Sequence, residues 1–513
     1  MNGAESLIDT LVCGDVGVCF TNPGTSEMHI VAALDQNTKM RCVLGLFEGV
    51  VTGAADGYAR MTGKPACTLL HLGPGFANGI ANLHNARRAQ VPIVNLVGQH
   101  ATYHLRHDTP LTSNIEGLAR TCSNWVRASC AAPELGRDAA DAIVAARTAP
   151  GHVATLIVPA DTAWSQGGVA VGAPKLLRSP VPASEVVERT AAMLCSGLRT
   201  ALLLSGSALH GRGLAAAGRI AASTGARLLA PYPFARLERG SGSPEVERIA
   251  YVLEQAAEQL KEFRQLILVG ARAPVSYFAA PGKNSVLTSP ECVVQILASP
   301  GEDCAEALEA LSALSAQSCQ PGTRRVERPK APVGEISLTA LATAVAAILP
   351  EGSIVVDESM TSGRGMMAAT KDGPTHDWLA NTGGSIGIAL PLAVGAAVAC
   401  PDRRVLCLSA DGSGMYTAQA LWTMAREGLR ITTVIFANRV YGVLKREFSY
   451  LGIGDPGPRA QALFDIDRPT IDWVHLAKGM GVPGTRVSSI ETFAKALKNG
   501  FESGGPMLVE VGL

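Results

Sequence analysis

Apolar and polar positions along this chain alternate between two rhythms. Short apolar runs bounded by Gly, Pro, Asn or Ser read as buried strands, and segments of helical period separate them. In the first third the runs CFTNPG, ACTLLHLG, VPIVNLVG and ATLIVP predict strands. In the middle third TALLLSG, ARLLAP and QLILVG do so, and in the last third SIVVDES, RVLCLSA, ITTVIFAN and PMLVEVG. Strands alternating with helices are the signature of parallel α/β sheets. Two stretches interrupt the rhythm: QGGVAVGAPKLLRSPVPAS, residues 166–184, and CQPGTRRVERPKAPVG, residues 319–334. Their Gly, Pro and Arg content marks them as linkers. The expected architecture is therefore three α/β domains, at 1–170, 183–322 and 334–513, each a parallel sheet with flanking helices.

Composition supports large cores and excludes some partners. Hydrophobic residues make up 47% of the 513 positions. The 44 basic and 44 acidic residues cancel, and no basic run stands out, so neither nucleic acid nor a membrane surface is an expected partner. The 12 cysteines are scattered without CxxC pairs, as expected of reduced thiols in a cytoplasmic protein. The N-terminus, MNGAESLIDTLVCGDVGVCF, has no basic region of the secretory type. Residues 378–400 carry no charge, but their Asn, Gly and Pro content leaves too short an apolar run for a membrane span. They are expected to form a loop entering a buried helix.

Candidate chemistry begins at LCLSADGSGMY, residues 406–416. Asp411 closes an apolar strand, and Gly412 and Gly414 allow a sharp turn and close approach of a ligand. Ser413 is placed to cap the following segment, TAQALWTMAREG, read as a helix over 417–428. Open α/β sheets bind ligands at the carboxyl ends of strands, and a helix N-terminus favours phosphate. A carboxylate there repels phosphate unless a cation lies between them. On this stretch alone, a simple capping role for Asp411 stays open. The next strand, ITTVIFAN, ends at Asn438, 27 residues on. Neighbouring parallel strands would set the two side chains side by side. One carboxylate and one amide oxygen suit Mg²⁺, which takes few protein ligands and keeps phosphate oxygens and water.

Asp411-Gly412-Ser413 followed by Asn438-x-x-Tyr441-Gly442 resembles the diphosphate-binding motif of thiamine diphosphate (ThDP)-dependent enzymes. The resemblance implies that Asp411, Asn438 and the Val440 carbonyl bind Mg²⁺. It also implies that Gly412, Ser413, Tyr441, Gly442, Val443 and Thr361 line the cofactor. Ala410 and Ala437 depart from the family's usual Gly and Asn, but both spare the implied ligands. LGLFEGVVTGAADGYARMTGKPA, residues 44–66, resembles the pyrimidine-binding segment. There Glu48, read as ending an apolar strand, would supply the carboxyl group that stabilises the imino tautomer of the aminopyrimidine. NTGGSIGIALPLAVGAA, residues 381–397, resembles the clamp on that ring. Ile386 would prop the cofactor in a bent shape, and the Gly384 carbonyl would accept from the 4′-amino group. The resemblance spans nearly the whole chain and implies a homodimer with shared active sites, assembled further into a homotetramer. Each cofactor would then meet the Glu48 segment of one subunit and the diphosphate-binding domain of the other.

TNPGTSEM, residues 21–28, and LLHLGPGFANGIANLHNARRAQVPIVNLVGQ, residues 69–99, are similar to segments of acetolactate synthase large subunits and benzoylformate decarboxylase. This similarity places Thr25 and His71 against the substrate carboxylate and in proton transfer, which a histidine can perform near neutral pH. VGARAPVSYF, residues 269–278, puts Phe278 where the decarboxylase has a second histidine, implicated in protonating the enamine intermediate. Phenylalanine carries no proton, so the enamine is expected to persist and be ligated to a second carbonyl. The expected activity is thus ThDP- and Mg²⁺-dependent decarboxylation of a 2-oxo acid with carboligation, acetolactate synthase-like. Aldehyde release, as in benzoylformate decarboxylase, and an FAD-dependent reaction of the pyruvate oxidase type are the alternatives. FAD is not expected, because LLLSGSALHGRG, residues 202–213, is too weak a pattern for a dinucleotide loop. The substrate pocket is expected to include Phe278, with Leu444 and Glu447 on the helix after the Asn438 strand.

Overall fold

The computed structural model describes residues 1–316 and 328–513. Part of the second expected linker, and the expected boundary at 322, lie outside the described residues. Every strand expected from an apolar run is present, and the strands form three sheets flanked by helices. The first sheet has six parallel strands in the order Arg41–Leu44, Val18–Asn22, Ala66–Leu70, Ile93–Gln99, Val153–Pro159, Trp125–Ala128. The second has five, in the order Glu247–Arg248, Arg227–Ala230, Thr200–Leu204, Gln265–Val269, Val293–Ala298. The third has seven, in the order Gly484–Val487, Met507–Gly512, Ile431–Ala437, Val405–Ala410, Ser353–Glu358, His376–Ala380, Arg236–Arg239.

The edge strand of this third sheet, Arg236–Arg239, runs antiparallel and comes from the middle third of the chain. Its partner His376–Ala380 overlaps the uncharged stretch expected to begin as loop; Trp378 to Ala380 are in fact buried strand. The rest of that stretch is loop and then the buried helix Ala389–Ala399, as expected. Asp377 hides this strand from a hydropathy reading. Its two carboxylate oxygens are matched by Arg236 and Arg403, each at 2.7 Å, so the charge is buried with partners.

The first and last thirds of the chain meet where helix Glu48–Thr62 crosses helix Ala389–Ala399. Glycines bring the two backbones together there. A Cβ added at Gly57 would lie 2.1 Å from the Leu392 carbonyl oxygen, and one at Gly395 would lie 1.9 Å from that of Ala54. Arg60, one turn beyond Gly57, pins the crossing. Its guanidinium makes two 2.8 Å bonds to Asp56 and donates to the carbonyls of Ala380 at 2.6 Å and Ala235 at 3.0 Å. For Gly57→Ala, helix propensity gains about 1 kcal/mol. Overpacking against a carbonyl that cannot rotate away costs about 1–3 kcal/mol. The expected net effect is a loss of stability, read as a lower urea midpoint, although glycine is the poorer helix former.

No helix among the described residues is long and apolar enough to cross a membrane.

Candidate active site

Strands Val405–Ala410 and Ile431–Ala437 are parallel neighbours, so Asp411 and Asn438 emerge together at one edge of the third sheet. Asp411 is only 3% exposed. Its oxygens accept from Gly412 N at 2.9 Å and Arg439 N at 2.7 Å, and no cationic side chain pairs with it among the described residues. Burial pushes its pKa up from the ordinary carboxylate value. Ser413 does not cap a helix. The chain already turns helically at Asp411–Gly414, continues as a tight turn over Met415–Thr417 and forms a helix at Ala420–Arg426. Ala410, not Asp411, is the N-cap residue.

Arg439 has a left-handed backbone, φ 57°, at the bend between strand and loop. Beyond it the chain folds back on itself. Asn438 Oδ1 accepts from Val440 N at 3.2 Å, and the Val440 carbonyl accepts from Gly442 N at 2.8 Å. Asn438 Nδ2 lies 3.4 Å from Thr361 Oγ1. A Cβ on Gly442 would sit 3.1 Å from that hydroxyl, and a Cβ on Gly412 would sit 2.6 Å from the Tyr441 ring. Thr361, Asp411, Gly412, Asn438, Tyr441 and Gly442 therefore converge on one cradle. Ser413 is buried beside them, and Val443 follows on helix Gly442–Tyr450. A buried carboxylate lacking a countercharge, beside amide and carbonyl oxygens and two glycines, fits a divalent cation carrying a diphosphate. No group of three or more His, Cys, Asp or Glu among the described residues could hold a metal ion by itself.

The loop before helix Ala389–Ala399 lies beside this cradle: a Cβ on Gly387 would meet Tyr416 at 2.4 Å. Gly384 is left-handed, φ 77°, and Ile386 is half-buried. Sequence reasoning missed what holds the loop. Glu358, at the end of its strand, is buried. It accepts from Asn381 Nδ2 at 2.9 Å, Gly387 N at 3.1 Å and Ala389 N at 3.2 Å. Burial pushes its pKa up to about 7, against the opposing effect of those donors.

Glu48, His71 and Thr25 stand together in the first sheet's part of the chain. Glu48 opens helix Glu48–Thr62 and does not end a strand; the preceding strand stops at Leu44. Asn78 Nδ2 donates to Glu48 Oε2 at 3.0 Å. Gly75 separates Glu48 from His71: a Cβ there would be 3.0 Å from Glu48 Oε1 and 3.3 Å from His71 Cβ. His71 Nδ1 lies 2.8 Å from Glu27, a fully buried residue that sequence reasoning did not single out. Thr25 is exposed next to it. No hydrogen bond or ion pair among the described residues joins Glu48 to Asp411 or Asn438 within one chain.

The expected pocket residues are less gathered. Phe278 is 64% exposed and packs edge-on against Tyr277 at 5.0 Å. Tyr277, not Phe278, reaches the loop: a Cβ on Gly384 would lie 2.1 Å from its hydroxyl oxygen. Leu444 is exposed, and Glu447 pairs with Arg446 at 3.2 Å.

Two family models match the chain: the N-terminal thiamine pyrophosphate (TPP) binding domain of thiamine pyrophosphate enzymes over residues 1–117, and the C-terminal TPP binding domain over residues 362–511. The Mycobacterium tuberculosis protein provisionally named acetolactate synthase large subunit IlvX is 52% identical over 100% of this chain and 99% of its own length. The chain belongs to the thiamine pyrophosphate enzyme family. Benzoylformate decarboxylase of Pseudomonas aeruginosa is 28% identical over 96% of this chain and 95% of its own. Acetolactate synthase isozyme 1 large subunit of Escherichia coli is 24% identical over 99% and 93%. Among solved structures, the ThDP-dependent 4-hydroxybenzoylformate decarboxylase of Rhodococcus jostii superposes with a TM-score of 0.87, at 24% identity, over 99% of this chain and 98% of that one. That likeness establishes the fold, three mostly parallel sheets flanked by helices. Asp411, Asn438 and the cradle glycines lie within the C-terminal matched segment, and Glu48 and His71 within the N-terminal one.

Proposed function

We propose that this family member is a ThDP- and Mg²⁺-dependent enzyme that decarboxylates a 2-oxo acid and joins the remaining fragment to a second carbonyl compound, as acetolactate synthase does. The observation that carries the cofactor assignment is the buried Asp411 carboxylate, which pairs with no cationic side chain among the described residues and emerges beside Asn438 on the neighbouring strand. Asp411, Asn438 and the Val440 carbonyl would hold Mg²⁺. Thr361, Gly412, Ser413, Tyr441, Gly442 and Val443 would line the diphosphate. Bound ThDP supplies the electron sink for loss of CO₂. Glu48 would present its carboxyl group to the pyrimidine ring, the Gly384 carbonyl would accept from the ring's amino group, and Ile386 would pack against the cofactor. The 1–170 segment of one subunit and the 334–513 segment of another complete each site, which makes the active unit a homodimer, paired again as a tetramer.

Ligation is favoured over aldehyde release because residues 271–278 offer no imidazole to protonate the intermediate. One observation favours release: the Tyr277 hydroxyl, whose pKa is pushed up by burial, keeps a proton next to Gly384. Product analysis by NMR separates the two. Protein with ThDP and Mg²⁺ is expected to convert pyruvate to acetolactate or acetoin. Benzaldehyde from benzoylformate, with pyruvate untouched, would make it an aldehyde-releasing decarboxylase. Phe278→His is expected to raise the aldehyde share severalfold and Tyr277→Phe to lower it. An unchanged ratio in Phe278→His would remove Phe278 from the argument.

Glu27 fixes the ring of His71. It already accepts from Gly24 N at 2.8 Å and Ser26 Oγ at 2.5 Å, so His71 Nδ1 carries a proton and Nε2 is left free. Glu27→Ala is expected to release that tautomer, seen in imidazole nitrogen chemical shifts, and to lower kcat by about tenfold or more, as loss of an orienting partner does.

A further inference from the structure

The strongest unmet hydrogen-bonding capacity in the described chain lies away from the active-site cradle, on the edge strand Arg236–Arg239. Arg239 is 8% exposed, and its Nε and Nη1 have no hydrogen-bond partner. Across the ladder from it, His376 Nε2 and nearby Trp378 Nε1 are also unpartnered. The Arg239 guanidinium stands 5.6 Å from the centre of the Trp378 ring, an attraction that offsets part of the cost of burying it. It leaves the N–H groups unused. Burial, then the nearby Arg248 charge, pushes the Arg239 pKa down to about 10, so it remains charged at neutral pH. A buried charged donor with nothing to donate to is costly.

Arg239 lines a cavity of about 490 Å³ between residues 239–248 and the segment around Gly363 to Asp372. Several other charges on its wall are matched. Lys371 pairs with Glu245 at 3.0 Å and Glu247 pairs with Arg227, while Asp357 accepts only from Ser359, through N at 3.0 Å and Oγ at 2.5 Å, with no cationic partner among the described residues. Arg248 makes no ion pair among the described residues and stacks over Tyr232 at 5.1 Å. Asp372 is the remaining carboxylate that acts on Arg239. Ser241 and Ser243 add hydroxyls to the wall. Two arginines without ion-pair partners among the described residues, Arg239 and Arg248, thus line one small cavity, beside Asp357 and Asp372. Guanidinium forks match the planar or tetrahedral oxygens of carboxylate and phosphate.

We propose that this cavity binds a small oxyanion, a carboxylate or phosphate group held by Arg239 and Arg248, at a site separate from the cofactor cradle. The site and the cradle share one loop, since Gly363 and Gly365 lie two and four residues after Thr361.

Calorimetric titration of the full protein, saturated with ThDP and Mg²⁺, tests this with two probes: inorganic phosphate and malonate, each against sodium chloride of equal ionic strength. At least one probe is expected to bind once per chain. Phosphate alone would identify a phosphate site and malonate alone a carboxylate site. Arg239→Met is expected to weaken binding about tenfold or more, as loss of a charge-assisted donor pair does. Arg248→Gln, on the outer wall, is expected to weaken it severalfold without affecting folding, so the idea stays testable if Arg239→Met fails to fold. Three results would overturn it. One is no anion-specific binding, which leaves water as the occupant. Another is binding unchanged in Arg248→Gln and Arg239→Met. The last is binding lost in Thr361→Ala but kept in Arg248→Gln, which would put the anion in the diphosphate cradle.

Discussion

Asp411→Asn is expected to weaken Mg²⁺-dependent ThDP binding by at least a hundredfold and to leave the stability of the cofactor-free protein nearly unchanged. The two halves of this expectation have different causes. Removing one partner of a buried charge pair costs about 3–5 kcal/mol, and each 1.4 kcal/mol is about a factor of ten in affinity. Without cofactor there is no such pair to break. Asp411 is then a desolvated carboxylate facing backbone N–H groups only, and a neutral amide relieves that burial. Against this relief, one amide oxygen cannot serve both Gly412 N and Arg439 N, and an unserved buried N–H costs about 1–3 kcal/mol. The terms oppose one another and are of similar size. Titration calorimetry with ThDP and Mg²⁺, beside urea unfolding of the apo protein, reads both. Unchanged cofactor affinity with a large loss of stability would make Asp411 a structural residue of the turn and end its role as a metal ligand.

What the sequence made legible follows from where partners lie. Strands such as Val405–Ala410 and Ile431–Ala437 are buried on both faces and read directly as apolar runs. The spacing of Asp411 and Asn438 needed only the parallel pairing of those two strands. Elements that depend on distant partners were not legible. Arg236–Arg239 and His376–Ala380 look polar until Arg236 and Arg403 are seen to flank Asp377. Glu358 ends its strand much as any helix-entry acid would, and its three donors lie 23 or more residues further on. Glu27 became visible only through His71, 44 residues away. Ser413 has the composition of a cap, but the helical turn begins before it, at Asp411. Phe278 was singled out by position in a motif, whereas the neighbouring Tyr277 is the side chain that reaches Gly384, a distinction of one residue that no periodicity encodes.

Glu358 yields the second large effect, a pH dependence with a definite sign. Its pKa is about 7 in the folded chain against an ordinary 4.5, with burial as the largest cause. The folded state therefore holds this proton more tightly than the unfolded state, and stability falls as pH rises between those two values. At about 1.4 kcal/mol per pKa unit, the ionised carboxylate lowers stability above neutral pH by about 3 kcal/mol. Glu358→Gln removes that titration. Its amide oxygen can still accept from Gly387 N or Ala389 N. Its NH₂ group, however, conflicts with Asn381 Nδ2, which also donates to Ser385 O, while Asn381 Oδ1 accepts from Gly384 N. The variant should therefore lose ThDP affinity through a loosened Asn381–Ser385 turn even where it gains stability. Urea unfolding of both proteins at pH 5, 7 and 8.5 checks the sign, because other titrating groups cancel in the difference. Relative to wild type, the variant should gain stability chiefly between pH 5 and 7, with little further gain by pH 8.5. A difference that does not change with pH would show that Glu358 titrates alike in the folded and unfolded chains. Its bonds to the loop would then owe nothing to a proton held near neutrality.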